Sequence, residues 1–333
     1  MKLLICFGTR PEYIKVKSLI NNLPSAHILF TGQHEDYFDE ILQHENKIHK
    51  LDIIKNNNRL CDIIASILGQ GNILEPYDYV LVQGDTASAF GIALTSFNYG
   101  VKIIHLEAGL RVNNICDPFP EEGYRQMISR IANIHLCPTN KDRQNLLNEN
   151  IKENIYVTGN TVLDNLVNFK NCVTYDNVVL ITLHRRDNLQ KLREWFKIFS
   201  KIATIYDDIQ FIFPIHHNPD IRKYKCFLQN INVVEPLKHD ELVDILRRCK
   251  YVISDSGGLQ EEASFLNKKI IICRRSTERP QVLDTHGVLC KSPEYLEEIV
   301  CDINKDYIIN TECPFGDGYA WKKILDVVNN LIK

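Results

Sequence analysis

The sequence lacks the features that mark several classes of protein. No run among its 333 residues approaches the roughly 20 consecutive apolar residues that a membrane-spanning helix needs. Lysine and arginine total 39 against 42 aspartate and glutamate, so the basic excess of most nucleic-acid binders is missing. Glycine (15) and proline (12) are sparse, which excludes collagenous and low-complexity chains. We therefore expect a globular protein that binds neither nucleic acid nor membrane.

Metal-binding motifs are also missing, although the chain has 11 cysteines. No two cysteines are spaced as C-x-x-C, and His216-His217 has no third ligand at a recognised spacing. Scattered cysteines of odd number, in a chain long enough to bury a core, are typical of reduced thiols in the cytosol. The apolar run at the N-terminus is too short for a signal peptide. The sequence predicts a cytoplasmic protein without a metal.

What is present is a regular alternation of short apolar runs with longer amphipathic segments. The runs are rich in Ile, Val and Leu without strict alternation, which is typical of strands buried on both faces of a parallel sheet. Six runs before residue 169 and six after residue 177 predict strands at Lys2–Phe7, His27–Thr31, Tyr79–Gln83, Lys102–Leu106, Ile134–Cys137, Ile155–Thr158, Val178–Leu183, Gln210–Ile215, Asn232–Glu235, Tyr251–Ser254, Lys269–Cys273 and Val288–Cys290.

This alternation predicts an α/β protein of two Rossmann-like, doubly wound parallel-sheet domains that face a cleft. The length also exceeds what one hydrophobic core usually supports. We expect an N-terminal domain over residues 1–168 and a second domain over 169–315. A last helix within 316–333 is expected to pack back on the N-terminal domain.

Polar motifs stand at the carboxyl ends of the predicted strands, where open α/β sheets bind their ligands. The motifs of the first half are Gly8-Thr9-Arg10-Pro11-Glu12, Thr31-Gly32-Gln33-His34, Gln83-Gly84-Asp85-Thr86 and Glu107-Ala108-Gly109-Leu110-Arg111. Those of the second half are His184-Arg185-Arg186, His216-His217-Asn218 and Asp255-Ser256-Gly257-Gly258. Any one of them is explained by a helix cap. Their recurrence at equivalent positions in both halves predicts a ligand site.

The segment after the strand Tyr251–Ser254 indicates phosphate binding. Gly257 and Gly258 let the backbone approach a ligand, and the free N–H groups of the following helix attract phosphate. Glu262 lies about one turn further on, where a carboxylate can accept bonds from ribose hydroxyls. A plain helix start capped by Ser256 explains the same residues equally well. No G-x-G-x-x-G follows a strand and no P-loop motif occurs, which excludes those two nucleotide sites.

The first half also supplies three carboxylates, Asp85, Glu107 and Glu121. Carboxylates gathered in a cleft have divergent pKa values, so that one serves as a base and another as an acid. For Glu121 the alternative is the first turn of an exposed helix. The basic residues with the charge to neutralise a diphosphate are Arg10, Lys15, Arg185 and Arg279.

Together these motifs resemble the non-hydrolysing type of the UDP-N-acetylglucosamine 2-epimerase family over nearly the whole chain. The resemblance extends through Pro120-Glu121-Glu122, Val157-Thr158-Gly159-Asn160-Thr161, Thr277-Glu278-Arg279-Pro280 and Gly316-Asp317-Gly318. It implies a GT-B-like fold, a UDP-sugar substrate, no cofactor and a homodimer. The family eliminates UDP across C1–C2 to leave a 2-acetamido glycal, then adds UDP back with inverted configuration at C2.

The resemblance also implies roles for individual residues. The catalytic set would be Asp85, Glu107, Glu121 and His184. The substrate-binding set would be Arg10, Lys15, Leu237, Leu242, Ser256, Gly257, Gly258, Glu262 and Arg279. Leu237 and Leu242 would border the uracil, and Glu262 would bind the ribose. The positions of an allosteric pocket found in some members are occupied by Gln33, Arg185 and His216.

Departures from the family pattern keep other functions open. Gln281 replaces the glutamate that normally follows Arg279-Pro280. Because such changes fall near the sugar end of the site, a UDP-6-deoxy-N-acetylhexosamine is an alternative substrate. Two further alternatives are a hydrolysing 2-epimerase that releases UDP and N-acetylmannosamine, and a GT-B glycosyltransferase. The intact segment Thr277–Pro280 favours the non-hydrolysing type, and a glycosyltransferase would not need the three carboxylates together.

Overall fold

Strands and helices alternate along the chain in the computed structural model, which describes residues 2–35, 37–54, 58–283, 285–305, 309 and 311–331. The thirteen strands within these residues are β1 (Leu3–Phe7), β2 (His27–Phe30), β3 (Ile48–Lys50), β4 (Tyr79–Gln83), β5 (Lys102–Leu106), β6 (Ile134–Cys137), β7 (Ile155–Val157), β8 (Val178–Thr182), β9 (Gln210–Pro214), β10 (Asn232–Val234), β11 (Tyr251–Ser254), β12 (Lys269–Ile272) and β13 (Gly287–Leu289).

Twelve α-helices lie in the same described ranges, and none is long and apolar enough to cross a membrane. They are α1 (Arg10–Asn22), α2 (Phe38–Ile41), α3 (Arg59–Gly69), α4 (Ala87–Asn98), α5 (Glu121–Ile131), α6 (Asn140–Asn148), α7 (Leu192–Ile205), α8 (Pro219–Arg222), α9 (His239–Arg248), α10 (Gly257–Phe265), α11 (Leu296–Lys305) and α12 (Ala320–Asn330). Short 3-10 helices lie at Gly71–Leu74, Thr161–Cys172, Arg186–Lys191, Lys225–Phe227, Pro280–Val282 and Pro293–Tyr295.

The chain divides into two compact units. Unit 1 comprises Met1–Asn165 together with Gly316–Lys333, and unit 2 comprises Leu166–Phe315. The C-terminal helix α12 belongs to unit 1 because Ile324 and Val328 are buried in the core of that unit. The first stretch of unit 1 ends at Asn165, three residues before the expected end of the N-terminal domain at residue 168.

Asp164 holds the start of α12 in unit 1. Its Oδ1 accepts the backbone N–H of Ala320 at 2.8 Å, and its Oδ2 accepts that of Trp321 at 3.0 Å. The hydroxyl of Ser18 also donates to Oδ2, at 3.0 Å. Burial raises the pKa of Asp164 to about 6, against the hydrogen bonds that lower it. The carboxylate replaces the missing side-chain cap at the start of this helix.

The sheet of unit 1 is parallel throughout and has the order β3-β2-β1-β4-β5-β6-β7. Helices cover both of its faces, as β1 illustrates. Leu3, Ile5 and Phe7 belong to one buried cluster with residues of α1 and α12. Leu4 and Cys6 belong to another with residues of α3 and α4. Both faces of β1 are therefore apolar, which explains the lack of strict alternation in its sequence.

The sheet of unit 2 is also parallel and has the order β10-β9-β8-β11-β12-β13. Numbered within its own unit, each sheet has the strand order 3-2-1-4-5-6, and unit 1 adds a seventh strand at one edge. The order reverses between β1 and β4 in unit 1 and between β8 and β11 in unit 2. The prediction of two Rossmann-like parallel-sheet domains, as in the GT-B fold, is confirmed.

The twelve predicted strands are all present, but the expectation of six strands in the first domain is wrong, because β3 was not predicted. β3 pairs with β2 at Ile28↔Ile48 and forms the edge of the sheet. Its three residues are half-buried or exposed, and two of them, His49 and Lys50, are polar. A strand this short carries no apolar run, so only its pairing with β2 defines it.

Candidate active site

The loop between β1 and α1 in unit 1 is held by a buried carboxylate. Oε2 of Glu12 accepts the backbone N–H of Thr9 at 2.7 Å and that of Gly8 at 3.1 Å. Its Oε1 accepts the hydroxyl of Thr86, the N-terminal cap of α4, at 2.7 Å. Burial raises the pKa of Glu12 to about 6 despite these hydrogen bonds. Glu12 thus joins the starts of α1 and α4, on either side of the point where the strand order reverses.

Glu107, which follows β5, pairs with Lys15 of α1. Nζ of Lys15 lies 2.6 Å from both Oε1 and Oε2 of Glu107. The side-chain amide of Gln83 also donates to Oε2. The backbone of Glu107 has φ +66°, a left-handed conformation that is uncommon for a residue other than glycine and is concentrated at functional sites. The structure therefore brings together two of the residues predicted for the site.

Asp85, in the turn after β4, pairs with Arg125 of α5. Nε of Arg125 donates to Oδ2 of Asp85 at 2.8 Å, and Nη2 donates to the same oxygen. Nη1 lies 3.1 Å from Oε2 of Glu122. Glu122 is fully buried, whereas the predicted residue Glu121 is half-buried at the first position of the helix. Sequence reasoning assigned no role to Arg125 or Glu122.

Arg10 and Gln33, the other predicted residues of unit 1, have different partners. Nη2 of Arg10 lies 3.1 Å from Oε1 of Glu40, in an ion pair whose side chains are partly exposed. Oε1 of Gln33 accepts the hydroxyl of Ser88 at 2.7 Å and its backbone N–H at 3.2 Å. Gln33 therefore lies against the first turn of α4.

In unit 2, Asp255 joins the two loops at the point where the strand order reverses. This buried carboxylate follows β11 and accepts the backbone N–H groups of His184 (3.0 and 3.1 Å) and Arg185 (2.8 Å). The amide of Asn188 also donates to it, at 3.0 Å. The ring of His184 is 39% exposed and stacks on that of His216, with centroids 5.8 Å apart. The motifs after β8, β9 and β11 thus meet at one edge of the sheet.

The helix α10 begins at Gly257 with an open N-terminus. The hydroxyl of Ser256 accepts the backbone N–H of Leu259, at 3.5 Å. A Cβ atom on Gly257 would lie 2.7 Å from Nη1 of Arg279 and 2.9 Å from Oε1 of Glu278, so only glycine allows this guanidinium to pack against the first turn. Among the described residues, and apart from its chain neighbours and the backbone of its own helix, a Cβ on Gly258 would meet no atom within 4 Å. A guanidinium beside a helix N-terminus is suited to an anion such as phosphate.

Glu278 is shared by three arginines. Its Oε1 lies 2.6 Å from Nη1 of Arg279 and 3.5 Å from Nη2 of Arg185. Its Oε2 accepts Nη1 of Arg274 at 2.5 Å. Nε of Arg279 donates to Glu261, also at 2.5 Å. Within the part of the chain that the structure describes, three guanidinium groups thus meet at one carboxylate, and guanidinium groups are suited to binding an anion.

Glu262 pairs with His239, which the sequence analysis did not select. Nε2 of His239 lies 2.7 Å from Oε1 of Glu262, and both side chains are largely buried. The half-buried residues Leu237 and Leu242 flank the first turn of α9, which begins at His239. The pairing places Glu262 beside the segment that would border the uracil.

Comparison with known proteins identifies the family of this chain. A family model described as UDP-N-acetylglucosamine 2-epimerase matches residues 20–329, which is most of the chain. The chain belongs to the UDP-N-acetylglucosamine 2-epimerase family. The family predicted from the motifs at the strand ends is therefore confirmed.

Relatives in this family match the chain over nearly its full length. The UDP-N-acetylglucosamine 2-epimerase of Campylobacter jejuni is 37% identical over 372 residues, covering 98% of this chain and 97% of the relative. That of Salmonella borreze is 36% identical over 367 residues, with the same coverage. The structure of the Neisseria meningitidis UDP-GlcNAc 2-epimerase bound to UDP-GlcNAc superposes with a TM-score of 0.91 and 30% identity, covering 99% of this chain and all of that one.

This member of the epimerase family contains several site groups that motif reasoning missed. Arg125, His239, Glu261 and Glu278 contact predicted residues directly. Glu122 contacts Arg125, Arg274 contacts Glu278, and Glu12 holds the loop before Arg10. The spacing of Glu122 and Arg125 places them on the same face of α5 as the buried Ile128, and that spacing is visible in the sequence. It does not reveal that Asp85, 40 residues away, is the third partner.

Proposed function

We propose that the protein inverts the configuration at C2 of a UDP-N-acetylhexosamine and converts UDP-GlcNAc to UDP-ManNAc. The proposed route is elimination of UDP to a 2-acetamido glycal followed by its re-addition, without a cofactor and without release of the free sugar. The observation that carries the proposal is the pairing of two carboxylates with basic side chains in unit 1, Glu107 with Lys15 and Asp85 with Arg125. The relative from Neisseria, whose structure contains UDP-GlcNAc, supports the choice of nucleotide sugar.

In this proposal unit 2 binds the nucleotide. Arg279 and the N-terminal turn of α10 hold the diphosphate, because both present N–H donors and positive charge. Glu262 binds the ribose hydroxyls, and Leu237 and Leu242 border the uracil. His184, exposed beside the same loops, stabilises the negative charge on departing UDP together with Arg10.

Unit 1 then supplies the acid–base chemistry. Elimination requires a base for the proton at C2, and re-addition with inversion requires an acid on the opposite face of the sugar. Asp85, Glu107 and Glu121 are the carboxylates assigned to these two tasks. Lys15, held 2.6 Å from Glu107, fixes that carboxylate and brings a positive charge to the reacting centre. Because the C2 proton exchanges with solvent in this scheme, each turnover leaves a detectable isotope label.

The test is to incubate the purified protein with UDP-GlcNAc in D2O and to follow the sugar signals by NMR. UDP-ManNAc with deuterium at C2 is the expected product. Free ManNAc with UDP would replace the proposal by a hydrolysing epimerase. Absence of exchange with UDP-GlcNAc, but exchange with a UDP-6-deoxy-N-acetylhexosamine, would change the substrate. Sugar transfer only when an acceptor is added would replace epimerase by glycosyltransferase. The homodimer stays a prediction, to be checked by the mass in solution.

A further inference from the structure

The guanidinium of Arg125 joins two carboxylates of unit 1. Nε, at 2.8 Å, and Nη2 both donate to Oδ2 of Asp85, and Nη1 lies 3.1 Å from Oε2 of Glu122. The side chains of Arg125 and Glu122 are 6% and 0% exposed, whereas that of Asp85 is 23% exposed. The buried pair therefore lies behind a carboxylate that solvent can still reach.

Glu122 is itself held by groups other than Arg125. Its Oε2 accepts the backbone N–H of Val112 at 3.1 Å, and its Oε1 accepts that of Asn113 at 3.2 Å. The amide of Gln126 also donates to Oε1, at 2.9 Å. Because these donors fix the carboxylate of Glu122, its contact with Nη1 fixes the plane of the Arg125 guanidinium.

Asp85 needs such support because its side chain projects from a turn. The turn is stabilised from behind, since Nε2 of buried His105 lies 2.9 Å from the carbonyl oxygen of Gly84. That contact fixes the backbone but leaves the two side-chain torsions of Asp85 to be set by other groups. Arg125 provides two donors to a single carboxylate oxygen. Proton transfer depends on such placement, because a displacement of about 1 Å can cost a hundredfold in rate.

We propose that Arg125, held in place by Glu122, is a positioning residue that fixes the Asp85 carboxylate for proton transfer. The inference rests on the proposed function, which assigns Asp85 to the acid–base chemistry. Lysine cannot replace Arg125 in this role. Its single ammonium group lacks the planar fork that reaches Asp85 and Glu122 at the same time.

The first experiment compares Arg125→Met and Arg125→Lys with a matched control, Arg130→Met. Arg130 lies on the same helix but is exposed, and its Nη1 donates to the backbone oxygen of Glu149. We expect Arg125→Met to lower kcat about a hundredfold. We expect KM and the affinity for UDP to stay within about twofold, because Arg125 is not among the groups proposed to hold UDP. Arg125→Lys should recover only a small part of the loss, and Arg130→Met should behave as wild type.

A double-mutant cycle with Asp85→Asn separates positioning from other roles. If Arg125 acts only through Asp85, then Arg125→Met adds no further loss of kcat when Asp85 is already Asn. Full additivity of the two losses would overturn the proposal, as would a loss of UDP affinity as large as the loss of kcat. Arg125→Met leaves a buried carboxylate without its cation. If circular dichroism shows that this variant is unfolded, Arg125→Met combined with Glu122→Gln replaces it.

A structural measurement decides the inference without turnover. Failure of the wild-type protein to exchange the C2 proton of any UDP sugar would refute the proposed function. The crystal structure of the Arg125→Met variant answers the separate question of positioning. A displaced or disordered Asp85 carboxylate, with an unchanged one in Arg130→Met, supports the inference. An Asp85 carboxylate that stays in its wild-type position in Arg125→Met overturns it.

Discussion

The two units share the strand order 3-2-1-4-5-6, but different side chains gather at the carboxyl ends of their strands. In unit 1, the loops after β1, β4 and β5 bring Glu12, Asp85 and Glu107 to one edge of the sheet, against the cations of Lys15 and Arg125.

In unit 2, by contrast, three arginines meet at one carboxylate, Glu278. Arg185, Arg274 and Arg279 share this carboxylate, and Glu261 is the second acid of the cluster. The helix α10 begins beside them, at Gly257, with Ser256 as its N-terminal cap. Topology therefore places polar loops at one edge of each sheet, whereas side-chain charge decides whether those loops are suited to proton transfer or to anion binding.

The largest expected effect comes from removing a carboxylate of unit 1. Asp85→Asn should lower kcat about a thousandfold, since general acid–base groups contribute on this scale. The affinity for UDP should not change, because Asp85 is not among the residues proposed to hold the nucleotide. Steady-state kinetics and calorimetric titration with UDP measure the two quantities.

Asp78→Asn is the matched control for this variant. Asp78 is exposed and precedes the same strand, β4, at its opposite end, where Oδ2 accepts the backbone N–H of Lys2. It should keep wild-type kcat. A folded Asp85→Asn protein that has lost UDP binding would refute the division of roles between the two units.

A smaller effect is expected from two neighbouring glycines of unit 2. In Gly257→Ala the new methyl group collides with Arg279 and Glu278, so UDP affinity should fall about tenfold and stability by about 1–3 kcal/mol. In Gly258→Ala the methyl group meets no atom of the described residues beyond its own helix, so the free energy of unfolding should stay equal or rise by up to about 1 kcal/mol. Any loss of UDP affinity in Gly258→Ala then reports close approach of the ligand. Wild-type UDP affinity in Gly257→Ala would contradict the proposed phosphate site.

The smallest effect is a pH dependence of stability that originates in unit 1. Burial raises the pKa of Glu12 from 4.5 to about 6, so the folded protein binds this proton more tightly than the unfolded chain. The free energy of unfolding should therefore fall as pH rises from about 4.5 to about 6, by up to about 2 kcal/mol from this group. Glu12→Gln should flatten that fall, while Asp164, whose pKa is also raised to about 6, keeps part of it.

Urea unfolding at several pH values between 4.5 and 6.5 measures this slope. Glutamine at position 12 can still accept the N–H groups of Gly8 and Thr9 and can donate to Thr86, so the variant tests charge rather than shape. An unchanged slope in Glu12→Gln would show that this carboxylate is not the origin of the pH dependence.

The sequence by itself determined the parallel sheets, twelve of the thirteen strands and the family. Strands covered by helices on both faces must be apolar throughout, so their positions are visible as uninterrupted runs such as Leu3–Phe7. Ligands of such folds bind at the carboxyl ends of those runs, and Asp85, Glu107 and Ser256 were selected as candidates on that basis. β3 escaped because a half-exposed edge strand of three residues carries no such run.

Only the tertiary structure decided which groups act together. Glu121 and Glu122 are adjacent in sequence, but successive side chains on a helix point about 100° apart. The docking of α5 buries Glu122 with Arg125, and it brings Arg125 to Asp85 across 40 residues of sequence. The sharing of Glu278 by three arginines likewise depends on how the loops after β8 and β12 meet. A buried strand can be recognised from local sequence because its burial requires a run of consecutive apolar residues. Ion pairs between distant segments form only after those segments have packed together.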